Sequence, residues 1–272
     1  SALCSAHFPR SGCELAHHER IANKVILRIE RGSLAIDGKW VQQEMPSGAL
    51  ARLLFAYICT SAIKTKSRSL TLESSSRQLL LLLGRGSGGG QRDRGGYRAL
   101  ERQLDALLSC RILLGFSKTG EYVTADVSVA RRIAVWRESA RGVAGMPRAV
   151  ELSEEFFKHL QRHAVPVDKR ALIALGGSAW ALDVYTFVVK RLAYLNRSFK
   201  PNEYIRWRRL HFQFCGTSVG PTRDFKARVR ESLARVQIVY PMARVSVVRG
   251  GLLFEKSPPP VSASTASEAV HN

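Results

Sequence analysis

The chain lacks any C-x-x-C pair, and its five cysteines (Cys4, Cys13, Cys59, Cys110 and Cys215) are odd in number and widely spaced. That pattern argues against a disulfide-stapled scaffold and fits a reduced, cytosolic setting, where cysteines in apolar surroundings act as small hydrophobes. Long apolar runs are missing too: none approaches the roughly 20 residues of a membrane-spanning helix. The opening SALCSAHFPR has no apolar core of a secretory signal, and it starts on Ser1 rather than Met, which leaves room for an upstream piece. Acidic residues are scarce. Against 42 Lys and Arg stand 22 Asp and Glu, for a net charge of +20 and a sequence pI of about 10.5. A fold does not need that excess, which costs self-repulsion; a polyanion is the usual reason to carry it. Nucleic acid is the leading partner class, ahead of an anionic membrane surface.

What is present supports packed cores. Hydrophobic residues make up 45% and aromatics 8% of the 272 positions, enough for one large domain or two ordinary ones and too much for wholesale disorder. Two segments share one plan. In the first, SGALARLLFAYICTSAIKT (Ser47–Thr65) carries apolar residues at helical spacing behind Pro46. SLTLES (Ser69–Ser74) predicts a short strand, and SSRQLLLLLG (Ser75–Gly84) a short helix ending on glycine. After a glycine-rich stretch, YRALERQLDALLSCRI sets Tyr97, Leu100, Leu104, Leu107 and Leu108 on one stripe of an amphipathic helix. RILLGF and YVTADVSV follow as a hairpin turning near Gly120.

The second segment begins with ELSEEFFKHL, a helix opened by Ser153. VDKRALIAL predicts a short helix, SAWALDVYTFVVKRLAYL (Ser178–Leu195) a long one, IRWRRLHFQF a short one and CGTSVGPT a turn. RDFKARVRESLARVQIV predicts a helix with the stripe Phe225, Val229, Leu233 and Val236, and RVSVVRGGLLFEKS a hairpin across Gly250 and Gly251. Helix, strand, helix, turn, helix and hairpin is the order of a winged helix-turn-helix. The expected fold is α+β and mainly helical, with two tandem winged helix-turn-helix domains and short β-hairpin wings. The expected boundaries are a flexible tail over 1–23, a first domain over 24–138 and a linker over 139–149. A second domain follows over 150–257, then a disordered tail over 258–272.

One stretch invites a different reading. GRGSGGGQRDRGGYR (Gly84–Arg98) holds Gly84, Gly86 and Gly89 as G-x-G-x-x-G behind LLLLL, as a dinucleotide-binding loop does. Such a loop needs a βαβ setting and a carboxylate about 20 positions on, at the end of the next strand. Here Ser117 and Lys118 stand at that place, and Asp105 lies inside the helix. A Walker loop fails as well, because Gly89 is followed by Gly90 and Gln91 rather than Lys and Ser or Thr. Cys4, His7, Cys13 and His17 offer zinc ligands, but their spacing matches no zinc module. His159 and His163 fall one helical turn apart, without the His-x-His spacing or acidic helper of a nicking replicase. Asp183 and Tyr185 sit in the long apolar helix, where a buried, hydrogen-bonded tyrosine is the plain explanation. No catalytic grouping stands out. The chain reads as a non-enzyme without cofactor or metal, and the glycine stretch as the turn of a helix-turn-helix.

In a helix-turn-helix the second helix faces the major groove while phosphate contacts fix its register. Opposite the stripe of the first candidate recognition helix lie Arg98 and Arg102, with Arg92 and Arg94 before them in the glycine loop, near the positive helix N-terminus. In the second, Arg223, Lys226 and Arg230 lie three and four apart, opposite Phe225, Val229 and Leu233. Arginine suits guanine O6 and N7, and Lys or Arg suits phosphate; a plain solvated cationic face is the alternative. Lys190–Arg235 holds 12 basic and 3 acidic residues, which favours DNA contact. Arg206, Arg208 and Arg209 can grip the backbone, with Trp207 expected in the core. Lys118 and Arg249, at the hairpin tips, are weaker candidates for wing contacts.

Several strings carry a resemblance: MPSGALARLLFAYICTSAIKTKSRSLTLESS, RALERQLDALLSCRI, HAVPVDKRALIAL, GSAWALDVYTFVVKRLAYL, DFKARVRESLARVQIVYPMARV and GGLLFEKSPPPV. In that order, over residues 24–261, the chain resembles the plasmid-encoded RepA replication initiators. The usual Thr-Gly-Gly turn and Gly-Thr helix start of that family are replaced here by Ser87-Gly88-Gly89-Gly90 and Gly95-Gly96-Tyr97, and LLLLLG replaces a more mixed helix. The resemblance implies binding to repeated duplex sites (iterons) at a plasmid origin, local melting, and recruitment of a host initiator and helicase in the bacterial cytoplasm. It also implies a homodimer that represses its own gene and a monomer that starts replication. A winged-helix transcriptional regulator without a replication role is the alternative on the same architecture.

Overall fold

Four short strands open the chain in the computed structural model, which describes residues 8–12, 16–22, 25–72, 75–85, 91–118, 121–126, 128–135, 147–216, 220 and 222–261. They are β1 (His17–Ala22), β2 (Val25–Glu30), β3 (Ser33–Ile36) and β4 (Lys39–Gln42). β3 and β4 pair antiparallel around Asp37 and Gly38, both at positive φ (49° and 74°), as a two-residue primed hairpin turn requires. The stretch through residue 23, expected as a loose tail, is partly packed. Phe8 is buried and meets the Phe55 ring edge-on at 5.5 Å, and Arg52 donates to the carbonyls of Phe8 and Pro9. An aromatic anchor and a satisfied backbone hold what composition alone suggests is free.

Contacts divide the chain into two units, one of Phe8–Glu19 and Arg28–His163, the other of Arg20–Leu27 and the chain from Ala164 on. In the first, helix α1 (Gly48–Thr65) buries Leu50, Leu53, Leu54 and Ile58. After β5 (Ser69–Thr71) comes α2 (Ser76–Leu82). Gly84, at φ 69°, ends α2: its N–H goes to the Leu81 carbonyl and that of Arg85 to Leu80. This is the Schellman closure, which favours a residue without Cβ. The first glycine of the G-x-G-x-x-G pattern is thus a helix stop. Gly86–Gly90 lie outside the described residues.

Helix α3 (Gln91–Ser109) begins earlier than its apolar stripe suggests. Arg92 and Arg94, expected in the loop, are therefore in its first turns, and Gly95 and Gly96 are helical. A Cβ on Gly96 would meet Leu80 at an ordinary 3.8 Å, so this side of α3 faces α2. Leu100, Leu104, Leu107 and Leu108 are buried, as the stripe predicts. β6 (Arg111–Lys118) and β7 (Glu121–Asp126) form the expected antiparallel hairpin, in a sheet of order β1-β2-β6-β7; Gly120 at its turn lies outside the described residues. β8 (Ala130–Val135) and β9 (Pro147–Leu152) follow, then α4 (Glu154–His163), where Ser153 Oγ accepts the Phe156 N–H at 3.2 Å. β9 is the middle strand of a sheet ordered β5-β9-β8, with Leu70 opposite Val150, both buried. That pairing places residues 147–149, expected in a linker, and helix α4, expected in the second segment, in the first unit. Residues 139–146 lie outside the described residues.

The second unit runs α5 (Lys169–Ala174), α6 (Ala179–Arg197), β10 (Asn202–Arg206), α7 (Trp207–Cys215), α8 (Arg223–Val239), β11 (Val245–Val248) and β12 (Gly251–Glu255). α6 is nearly all core, with Leu182, Val184, Tyr185, Phe187, Val188 and Leu192 buried. The Tyr185 hydroxyl accepts the Asp168 N–H at 2.9 Å, and burial raises its pKa. It is the structural tyrosine that the sequence predicts. β10, not expected from sequence, pairs antiparallel with β12, which pairs with β11. Arg191 on α6 meets Glu203 on β10 at 3.3 Å, both largely buried. Past β12, Pro258 accepts the Tyr240 hydroxyl; residues 262–272, expected as disordered, lie outside the described residues.

The architecture is α+β, with eight helices and small sheets among the described residues. No described helix is long and apolar enough to cross a membrane. Helix, strand, helix, helix and hairpin recur as α1, β5, α2, α3, β6–β7 and as α6, β10, α7, α8, β11–β12. Strand pairing differs between them: β10 joins its own hairpin, whereas β5 joins β9.

Candidate nucleic-acid interface

Helix α8 is built from a cap, a buried stripe and a charged face. Thr222 Oγ accepts the Phe225 N–H at 3.2 Å, and Asp224 sits in the first turn, where a side-chain acceptor and a negative charge both suit the helix start. Phe225, Val229, Leu233 and Val236 are buried. Phe225 is the hub: its ring centroid lies 4.9 Å from His211, 6.1 Å from Trp180 and 6.5 Å from Trp207.

With that stripe inside, Arg223 and Arg230 are exposed and Lys226 is half-buried, so the predicted trio shares the outer surface of one helix. Arg230 lies 5.5 Å above the Trp207 ring, a cation–π contact that restricts its side chain. Arg228 on the same helix is exposed as well. It falls two residues from both Lys226 and Arg230, which puts it off their face. Arg223, Lys226 and Arg228 have no carboxylate partner among the described residues, whereas Arg235 pairs with Glu231 at 2.7 Å.

Helix α7 stands before α8 in the chain. Trp207 is buried, as expected, while Arg206, Arg208 and Arg209 are exposed. These arginines line an open concavity of ≈ 540 Å³ together with His211, Phe212, Gly216 and Gly220. No carboxylate is among the described residues that line it. His211, which sequence reading passed over, is buried, and that burial lowers its pKa and favours the neutral ring.

In the first unit, Arg98 and Arg102 are exposed on α3. Arg102 lies 3.9 Å from Glu44, an exposed pair that contributes little stability and locally offsets the positive charge. Arg92 and Arg94 stand at the start of α3, with side chains outside the described residues. Lys118 ends β6, and Arg249 is exposed at the β11–β12 turn. Cys4, His7 and Cys13 lie outside the described residues. Among those described, no group of His, Cys, Asp or Glu could hold a metal ion. Cys110 is fully buried and its thiol is pushed up to about 12, as befits a core cysteine.

A family model described as "Plasmid encoded RepA protein" matches residues 45–209, more than half of the chain. The match runs from Met45, just before α1, to Arg209 in α7, so Arg206, Arg208 and Arg209 fall within it and α8 falls beyond it. No curated protein and no solved structure matches.

Proposed function

Because this chain belongs to the family of plasmid-encoded RepA proteins, we propose that it is a replication initiator that binds repeated duplex sites at a plasmid origin. The observation that carries the DNA-binding part is α8: Arg223, Lys226 and Arg230 share the outer surface of a helix whose opposite stripe is core. On this reading the second unit is a winged helix-turn-helix. The order α6, β10, α7, α8, β11, β12, with β10 against β12, supports that assignment. Arg223, Lys226 and Arg230 reach base edges and phosphates in the major groove, and Arg206, Arg208 and Arg209 grip the backbone. Arg98 and Arg102, with Arg92 and Arg94 at the start of the same helix, serve the first unit in the same way, as a second winged helix. The partners are duplex DNA, the host initiator and helicase, and a second copy of the chain. The setting is the bacterial cytoplasm, and the role is assembly on DNA rather than catalysis.

A host carrying the gene with its flanking origin on an otherwise non-replicating plasmid tests this reading. The plasmid is expected to persist through growth without selection. Loss of the plasmid, despite tight binding of the purified protein to the same flanking DNA, would instead make the chain an operator-binding regulator.

A further inference from the structure

The concavity that runs along α7 is bordered by a mostly buried imidazole, His211. α7 opens on Arg206 with no side-chain cap; the Trp207 N–H goes to the Gly250 carbonyl, which leaves the N–H groups of Arg208 and Arg209 as the first-turn donors open to an anion. Arg208, His211 and Phe212 lie three and four residues apart and so share one flank. His211 is only 6% exposed. One face of its ring packs edge-on with Phe225 at 4.9 Å, and no group among the described residues hydrogen-bonds its ring nitrogens. His211 borders a cavity ringed by Arg206, Arg208 and Arg209, with no carboxylate among its described lining residues. Such a lining repels cations and is matched by an oxyanion with several acceptor oxygens.

We propose that this concavity is a phosphate site, in which the arginines supply the charge and His211 donates one ring N–H to a phosphate oxygen. A neutral imidazole has a single N–H to give, so His211 selects orientation, and the arginines supply the attraction. The inference deepens the proposed DNA-binding reading and rests on it only for the carrier of the phosphate, which is either the DNA backbone or a free anion. The volume of ≈ 540 Å³ admits more than one phosphoryl group, which makes pyrophosphate a suitable probe.

The test is titration of the full chain with inorganic pyrophosphate by calorimetry, on the native protein and on Arg208→Gln, His211→Phe, His211→Gln and Arg235→Gln. The native chain is expected to bind saturably. Arg208→Gln and His211→Phe each weaken binding about tenfold or more, the scale of a hydrogen bond to a charged group. His211→Gln, which keeps a donor, recovers part of the loss. Arg235→Gln, on α8 and paired with Glu231, leaves binding unchanged.

Arg235→Gln costing as much as Arg208→Gln would reduce the site to diffuse surface charge and overturn the proposal. So would a folded His211→Phe protein that binds as the native one does, and Arg208→Gln keeps the question open to refutation if His211→Phe does not fold. A competition arm then assigns the carrier. Pyrophosphate that displaces random duplex, with His211→Phe weakening that duplex too, identifies a backbone phosphate; pyrophosphate that binds without displacing it identifies a free anion. Failure of the native chain to prefer origin DNA would sink the initiator reading while leaving the pyrophosphate result standing.

Discussion

Gly251→Ala is expected to destabilise the second unit by about 3 kcal/mol or more, at or above the upper end of the usual cost of overpacking. The reason is the close approach of two strands at the end of the β10–β12 ladder, where Arg206 stands opposite Gly251. A Cβ at Gly251 would lie 2.0 Å from the Ile205 carbonyl oxygen, 2.8 Å from its carbon and 2.9 Å from the Arg206 Cα. All three are backbone atoms, and none can rotate aside as a side chain does. Relief requires β12 to move off β10, which also strains the bond from the Trp207 N–H to the Gly250 carbonyl at 3.0 Å. That bond ties the start of α7 to the hairpin. Gly177→Ala is the matched control, because nothing lies within 4 Å of a Cβ there and its φ is not in the positive range. Urea unfolding of the full chain, followed by tryptophan fluorescence, reads both. Equal midpoints for the two variants would contradict the close-approach account.

Phe225→Ala has the second large effect, expected at about 3–5 kcal/mol for truncating a buried aromatic ring. Its ring touches Trp180 at the start of α6 and Trp207 and His211 in α7. It therefore sets how α8, with its outward arginines, stands on the rest of the unit. The expected result is a lowered unfolding midpoint together with weakened duplex binding, although Phe225 presents no charge to DNA. Phe225→Leu, which refills most of the volume, is expected to cost less on both measures. Duplex affinity unchanged in a Phe225→Ala protein that is shown to be destabilised would mean that α8 does not position the DNA contacts.

Helices with long apolar stripes were legible in the chain because burial repeats along them every three and four residues. The stripes Leu100–Leu104–Leu107 and Phe225–Val229–Leu233 are buried as read. The caps at Ser153 and Thr222 were equally local. β10 was hidden because it has a single buried residue, Ile205, and abuts α7 directly. The pairing of β5 with β9 joins Ser69 to Glu151 across most of a unit, and no local pattern encodes a register of that range. Gly95 and Gly96 read as a break, yet packing of α3 on α2 carries them as helix and moves Arg92 and Arg94 out of the loop. Of the candidate site, the charged face of α8 was visible as spacing. The concavity was not, because His211 comes to border it only when Phe225 packs against its ring.

The central claim is that α8 reads DNA sequence, and its most direct measurement is the affinity of Arg223→Ala and Lys226→Ala for origin repeats and for random duplex at one fixed salt concentration. Loss of a base contact costs about 1–3 kcal/mol on the cognate site, with a smaller change on random DNA. The predicted result is a specificity ratio that falls in at least one of the two variants. Equal losses on both DNAs in both variants would make these side chains phosphate clamps and contradict the claim.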